Sequence, residues 1–180
     1  MTTFANKFGD SREQVDAYAA ALVETLGGRD PLEVLRDMPR ALPAAVEGVP
    51  PDLLGRPEAP GKWSVRQVVQ HLADSELVGS FRFRMTLAHD RPALPGYDQD
   101  AWAERLRYAE SDVATALADF TTLRRANLRL LERATPAERA RVGVHSERGE
   151  ESLTRMMQLY AGHDLAHLRQ IARIRKAVGA

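Results

Sequence analysis

Residues 152–178 read SLTRMMQLYAGHDLAHLRQIARIRKAV, and the spacing of apolar residues in this stretch decides the fold. The apolar side chains recur every three or four residues, which is the period of one face of an α-helix. Two histidines, His163 and His167, occupy the middle of that face. The sequence therefore predicts one long helix over the whole range, with two imidazoles on its inward side.

The rest of the chain shows the same helical periodicity and no sustained alternation of the kind that marks a β-hairpin. Three further long helices are predicted: Ser11–Leu26, Ser64–Ala88 and Ser111–Arg133. From Asp30 to about Val49 we expect only short helical pieces, because Pro39 and Pro43 interrupt the segment. Three or four long helices joined by proline-bearing loops predict an all-α, antiparallel helical bundle in a single domain over residues 1–180.

Two loops are predicted between these helices. The first runs from His89 to about Tyr108 and contains Pro92 and Pro95, and the second runs from Gly143 to Gly149. Loops as long as the first are commonly functional when they occur in a compact domain. We therefore expect loop residues near a binding site.

The composition narrows the classes of partner. Lys and Arg total 25, as do Asp and Glu, so the net charge is zero and a nucleic-acid partner is not expected. No apolar run approaches the roughly 18 residues of a membrane span, and the first residues, MTTFANKFGDS, lack the apolar segment of a signal peptide. We expect a cytoplasmic protein without a membrane partner. Whether it is a monomer or a homodimer stays open.

Cysteine is absent from the chain. This excludes a disulfide framework, a thiolate metal site and a catalytic cysteine. Any thiol chemistry therefore needs a thiol that belongs to another molecule.

The histidine pair is the strongest signal of chemistry in the sequence. Because His163 and His167 are four residues apart, they lie one helical turn apart and can direct their ring nitrogens at one point. An HExxH protease is excluded, because Asp164 replaces the glutamate and points about 100° away around the helix. His71 flanks the inward stripe of the helix predicted at Ser64–Ala88. It would complete a three-imidazole metal site if the two helices are neighbours, whereas hydrogen-bonded core histidines remain the alternative.

Residues 61–75, GKWSVRQVVQHLADS, resemble the first metal-ligand motif of the DinB-like superfamily, and more narrowly of its YfiT-like (DinB_2) branch. The resemblance continues in order through further segments: residues 81–84, 95–98, 101–103, 145–149 and 159–161, and the histidine pair. It implies a four-helix bundle that binds one divalent metal through His71, His163 and His167. Zinc, nickel and iron all suit three imidazole ligands.

The same resemblance implies two activities. Members of this branch are described as metal-dependent hydrolases or as S-transferases that use a low-molecular-weight thiol such as bacillithiol or mycothiol. We expect transfer of such a thiol to a small electrophile. Hydrolysis of a small amide or ester is the second hypothesis, and a non-catalytic, metal-stabilised binding or stress protein is the third.

Four charged residues near His71 are candidates for supporting roles. Glu76 or Asp74 is the candidate base for hydrolysis, although neither shares the His71 face and a solvated surface charge is the simpler interpretation. Arg82 and Arg84 are candidates for binding the carboxylate of a thiol cosubstrate, because a guanidinium matches that group. Exposed helix charges are the alternative for both arginines.

Three further candidates lie in the predicted loops. Tyr97 and Trp102 are expected at the mouth of a pocket, unless they only fix their loop against the bundle. His145 is expected to contact the substrate or to support a ligand. His89 is interpreted as a cation at the end of a helix.

Overall fold

The computed structural model describes residues 9–180. Residues 1–8 lie outside this range. Both the predicted domain, residues 1–180, and the N-terminal stretch predicted to lack a signal peptide include them. The helices are α1 (Arg12–Leu26), α2 (Pro31–Val46), α3 (Val65–Ala88), α4 (Gln99–Arg105), α5 (Val113–Arg133), α6 (Pro136–Arg139) and α7 (Leu153–Val178). Short strands are β1 (Ala93–Leu94), β2 (Val142–His145) and β3 (Gly149–Ser152), and a 3-10 turn spans Tyr108–Glu110.

The four long helices α2, α3, α5 and α7 form a bundle. Both α2 and α3 pack against α5 and against α7, and α1 packs against the outside of α7. None of the helices within residues 9–180 is long and apolar enough to cross a membrane.

Side-chain caps set the helix starts close to where the sequence predicts them. Ser11 and Ser64 each form a capping box at the start of α1 and α3, and Ser152 caps α7. The fifth helix starts two residues later than predicted, because Asp112 is the residue whose side chain accepts the Thr115 N–H. The predicted long helices are confirmed.

The prediction of short helical pieces after Asp30 is wrong, because α2 is one continuous helix that contains Pro39 and Pro43. A proline inside a helix leaves the carbonyl four residues earlier without its usual N–H donor. For Pro39 that carbonyl is Leu35 O, and Arg124 Nη1 donates to it at 3.2 Å. A side chain from α5 thus replaces one lost backbone donor.

The two predicted loops contain regular structure that the sequence pattern did not indicate. Strands β2 and β3 form an antiparallel hairpin across the second loop, and β1 adds to β2 in parallel. Each strand has four residues or fewer, which is too short for a period-two pattern to be recognised. Asp98 caps α4 by accepting the Asp100 and Ala101 N–H groups. The loops are therefore folded into a small sheet and a short helix beside the bundle.

A polar layer divides the core of the bundle into two apolar halves. One half includes Leu35, Phe83, Leu131 and Met156, and the other includes Met38, Val68, Phe120 and Ile171. On α3, α5 and α7 the residues between these halves are polar or charged and buried: His71, Glu76, Arg124, Asn127, Asp164 and His167. The predicted metal ligands His71 and His167 and the candidate base Glu76 lie in this layer.

Helix α1 approaches α7 most closely at Gly162, next to His163. A Cβ atom at this position would lie 2.1 Å from the backbone oxygen of Leu22. We expect Gly162→Ala to lower the free energy of unfolding by about 3 kcal/mol, because helix backbone rather than a flexible side chain must move. Urea unfolding measures the change. Gly55→Ala is the control, since its Cβ would meet only Arg66 Nε at 3.9 Å, and an equal effect of the two substitutions contradicts the prediction.

Candidate metal centre

Three histidines from two helices meet in the polar layer. His163 Nε2 lies 3.0 Å from His71 Nε2 and 3.0 Å from His167 Nε2. One ring nitrogen from each of the three lies within 4.8 Å of the others, as in a metal-ligand set. His71 and His167 are buried, whereas His163 is partly exposed toward a cleft. The Trp63 ring packs 4.9 Å from the His71 ring and covers its side.

Hydrogen bonds alone do not satisfy this cluster. His167 Nδ1 lies 2.7 Å from the acceptor Gln170 Oε1, so Nδ1 carries the proton and the lone pair of Nε2 faces His163. His163 Nε2 contacts both His71 Nε2 and His167 Nε2, and a single proton on it can form a hydrogen bond to only one of them. If instead His71 Nε2 carries a proton and donates to His163 Nε2, then neither nitrogen in the contact between His163 and His167 carries a proton. A cation that accepts all three lone pairs removes this conflict, so these residues fit a metal ion.

The electrostatic environment keeps the three rings neutral. Burial lowers the pKa of His71 well below its usual range, and His167 lowers it further. Burial also lowers the pKa of His163, with contributions from His167 and His71. For His167, burial lowers the pKa to about 4, against a smaller raising effect of Gln170. A neutral imidazole is the form that binds a metal, so the site is available without deprotonation near neutral pH.

A buried ion-pair network ties α3, α5 and α7 together beside the histidines. Arg124 donates to Glu76 Oε2 and to Asp164 Oδ2, both at 2.7 Å. Asn127 Nδ2 donates to the other oxygen of Glu76 at 2.7 Å. With one guanidinium and two carboxylates the formal charge of this group is negative when both acids are ionised. A negative neighbour suits a site for a divalent cation.

Two of the three histidines, His71 and His163, line a cleft. Helix α1 contributes Tyr18 and Leu22 to its lining. The two folded loops contribute Tyr97 from the first and His145 from the second. The expectation that loop residues lie near the site therefore agrees with the geometry. The open side of His163 and His71 faces this cleft.

A family model described as the DinB superfamily matches residues 35–171. The chain belongs to the DinB superfamily. In this DinB chain the matched range includes all three histidines and the whole buried ion-pair network. The family assignment predicted from residues 61–75 and the histidine pair is confirmed.

Named relatives of this DinB chain are called hydrolases. "Putative metal-dependent hydrolase YfiT" of Bacillus subtilis (strain 168) is 32% identical over 149 residues, which cover 82% of this chain and 84% of that protein. A Bacillus mycoides (strain KBAB4) relative with the same kind of name is 30% identical over 145 residues, covering 81% and 83%. The solved structure of YfiT from Bacillus subtilis aligns with a TM-score of 0.78 and 29% identity over 97% of this chain and 93% of that chain. Its description as a four-helix bundle agrees with the fold reported above.

The candidate bases of this DinB chain are already engaged. Glu76 is 1% exposed, so the interpretation as a solvated surface charge is wrong, and both of its oxygens accept hydrogen bonds from α5. Asp74 accepts from Tyr108 Oη at 2.5 Å and from Gln70 Nε2 at 3.2 Å. Neither carboxylate is placed to take a proton from a molecule in the cleft.

The other sequence candidates divide between the cleft and its surroundings. Arg82, Tyr97 and His145 line the cleft, and Arg82 is buried rather than exposed. Trp102 packs against Tyr97 with ring centroids 4.4 Å apart and tilted ring planes, and so supports a residue of the cleft lining. Arg84 is exposed and donates to Ser80 O and Asn127 Oδ1, outside the cleft.

Sequence reasoning missed several residues of this DinB site. Arg124 and Asn127 interrupt the apolar stripe of α5, and their polarity at stripe positions was the available signal. Glu147 and Arg148 lie in the quoted segment 145–149 but carried no role until the hairpin brought them to the cleft. The Glu147 Oε1 atom is buried and makes no hydrogen bond within the described part of the chain.

Proposed function

We propose that this chain is a divalent-metal-dependent enzyme that transfers a low-molecular-weight thiol, such as bacillithiol, to a small electrophile. The observation that carries the proposal is the set of three convergent histidines, of which His71 and His163 line a cleft. The chain itself has no cysteine, so the thiol is a cosubstrate. In the reaction a C–S bond forms, and a carbon–halogen or epoxide C–O bond breaks. The thiol proton passes to solvent or to the epoxide oxygen.

His71, His163 and His167 would hold the metal, and the cleft side of His163 leaves room for a further ligand. A bound divalent metal supplies Lewis acidity that lowers the pKa of a coordinated thiol or water. The chain supplies the rest. Gln170 fixes the orientation of the His167 ring through its Nδ1 hydrogen bond, and Trp63 restricts the His71 ring.

The hydrogen bonds of Glu76 and Asp74 favour thiol transfer over hydrolysis. Glu76 and Asp74 are held by hydrogen bonds, so they offer no free base beside the histidines. An amide or ester substrate needs a proton on its leaving group, which calls for a general acid. A halide leaving group does not need one. A halide acceptor therefore needs neither Glu76 nor Asp74, and with an epoxide acceptor the thiol itself supplies the proton that the opened oxygen takes up.

Hydrolysis of a small amide or ester is the second candidate function, and two observations favour it. The named relatives are called metal-dependent hydrolases. In addition, Glu147 lines the cleft and its buried Oε1 has no partner in the described chain, so this carboxylate is the candidate to exchange a proton with a substrate.

We expect metal-loaded protein to conjugate bacillithiol to a chlorobimane or epoxide acceptor, and His163→Ala to lower turnover by about 100-fold or more, because a ligand is lost. Formation of the thioether, measured with zinc, nickel and iron separately, checks this. His89→Ala is the matched control, since His89 is an exposed histidine at the end of α3. Thiol-dependent turnover that His163→Ala leaves unchanged contradicts the proposal.

The same preparations distinguish the two activities. Ester and amide substrates are offered without any thiol, and Glu147→Gln is compared with the parent protein. Thiol-independent cleavage that Glu147→Gln abolishes identifies a hydrolase. Metal-dependent thermal stabilisation without turnover in either assay identifies a non-catalytic metal protein.

A further inference from the structure

Two residues that line the cleft each carry a buried donor without a partner among residues 9–180. Arg82 on α3 is 5% exposed and His145 at the end of β2 is 2% exposed. Their Nε and Nε2 atoms, respectively, make no hydrogen bond among residues 9–180. Both residues line the same cleft as His71 and His163. Because buried donors in folded proteins are nearly always paired, these two indicate a ligand group that is anionic or an acceptor.

The surroundings of His145 settle which ring nitrogen carries the proton. His145 Nδ1 accepts the backbone N–H groups of Glu147 at 3.2 Å and Arg148 at 3.3 Å. Burial, Arg148 and Arg82 lower the pKa of His145 to about 3, so the ring is neutral. A neutral ring that accepts at Nδ1 has its proton on Nε2, which makes Nε2 a donor toward the cleft.

Arg82 supplies the charge. Its Nη2 donates to Pro95 O at 2.7 Å, and the guanidinium also hydrogen-bonds to the Tyr160 side chain, so the group is fixed and only the Nε–H is left without a partner in the described chain. The other guanidinium at the cleft, Arg148, is neutralised by two hydrogen bonds to Glu151. Glu147 adds a negative charge to the same cleft. One unpaired guanidinium beside a carboxylate suits a monoanion better than a dianion such as phosphate.

We propose that Arg82 and His145 form a subsite for a carboxylate group of the small molecule that reacts at the three histidines. This proposal rests on the proposed function in one respect, namely that the other end of the molecule reacts at the three histidines. Binding of a carboxylate by itself requires neither a metal nor turnover.

Titration of the full chain, freed of metal by a chelator, with propionate tests the subsite by NMR of the arginine Nε–H and histidine ring signals. We expect saturable binding, and a loss of affinity of about tenfold in Arg82→Met. Two substitutions of His145 separate its two hydrogen-bonding roles. His145→Asn keeps an acceptor for the Glu147 and Arg148 N–H groups but removes the cleft donor, so it weakens binding. His145→Gln extends an amide toward the cleft and retains binding.

Removal of the negative charge of Glu147 is expected to change propionate binding in the opposite direction. Glu147→Gln strengthens propionate binding several-fold, because a nearby negative charge is removed. Arg125→Met is the control, since Arg125 is an exposed residue of α5. Backbone amide spectra and the circular dichroism of each variant show whether it is folded. If Arg82→Met does not retain the fold, the comparison of His145→Asn with His145→Gln decides.

Three results overturn the subsite: no saturable binding of propionate, equal binding by folded Arg82→Met or by His145→Asn, or tighter binding of inorganic phosphate or ethylammonium than of propionate. Thiol transfer is measured separately. Absence of transfer together with Arg82-dependent propionate binding removes only the proposed function. Transfer without such binding removes only the subsite.

Discussion

Replacement of Arg124 by leucine is expected to lower the free energy of unfolding by about 3–5 kcal/mol. Arg124 is 1% exposed and donates to two carboxylates that are equally buried, Glu76 and Asp164. Burial alone would lower the pKa of Arg124, but Asp164 and Glu76 raise it, so the guanidinium stays charged. Leucine removes this charge and leaves two buried acids facing each other. Urea unfolding at neutral pH measures the change.

Further variants separate the loss of charge from the loss of packing. The triple variant Arg124→Leu, Glu76→Gln, Asp164→Asn removes all three charges, and we expect it to recover much of the stability lost by Arg124→Leu alone. Arg36→Leu is the control, because Arg36 forms an exposed ion pair with Glu132 and should change stability by about 1 kcal/mol or less. If Arg124→Leu is as stable as Arg36→Leu, the network is not a structural element of the bundle.

The sequence predicted the bundle because its long helices combine a regular apolar stripe with recognisable caps. Ser11, Ser64 and Ser152 mark helix starts by local chemistry that no distant residue alters. The continuity of α2 was not predictable in this way. The Leu35 carbonyl freed by Pro39 is satisfied by Arg124, which lies 89 residues away in the chain.

The same distinction applies to the site. The spacing of His163 and His167 placed two imidazoles on one helix face, whereas the position of His71 beside them depends on how α3 packs against α7. The resemblance to the DinB-like superfamily, not periodicity, supplied that third residue. Burial of Glu76 was not predicted, because it depends on Arg124 and Asn127 of α5, which have no sequence relation to it.

The metal-free protein is expected to lose stability steeply as the pH falls from about 6.5 toward 4. Burial holds the pKa values of His71 and His163 well below the ordinary value of 6.5, and that of His167 at about 4. Below pH 6.5 the unfolded chain therefore binds protons that the folded chain does not, so the free energy of unfolding decreases. At pH 5 His167 alone contributes a loss of about 2 kcal/mol, and His71 and His163 add further losses.

One buried acid acts in the opposite direction. Burial raises the pKa of Asp164 to about 6, although Arg124 lowers it, so the folded chain gains a proton there first. This offsets about 1 kcal/mol at pH 5, which is less than the loss from His167 alone, so the three histidines and Asp164 together still give a net loss of stability. A loss of even a few kcal/mol is a large fraction of a domain stability of about 5–15 kcal/mol.

Urea unfolding of the metal-free protein at pH 7, 6 and 5 checks the expected loss. His167→Gln should reduce the loss of stability between pH 7 and pH 5 by about 2 kcal/mol, because one buried ring with a lowered pKa is gone. His89→Gln is the matched control, because it replaces an exposed histidine outside the cluster. A metal bound to the neutral rings stabilises the folded state, by about 2.7 kcal/mol at a free concentration 100 times its Kd. If the free energy of unfolding depends on pH equally in the metal-free parent protein and in His167→Gln, the lowered pKa values of the buried histidines do not set the stability in acid. The effect of a metal at neutral pH does not alter that conclusion.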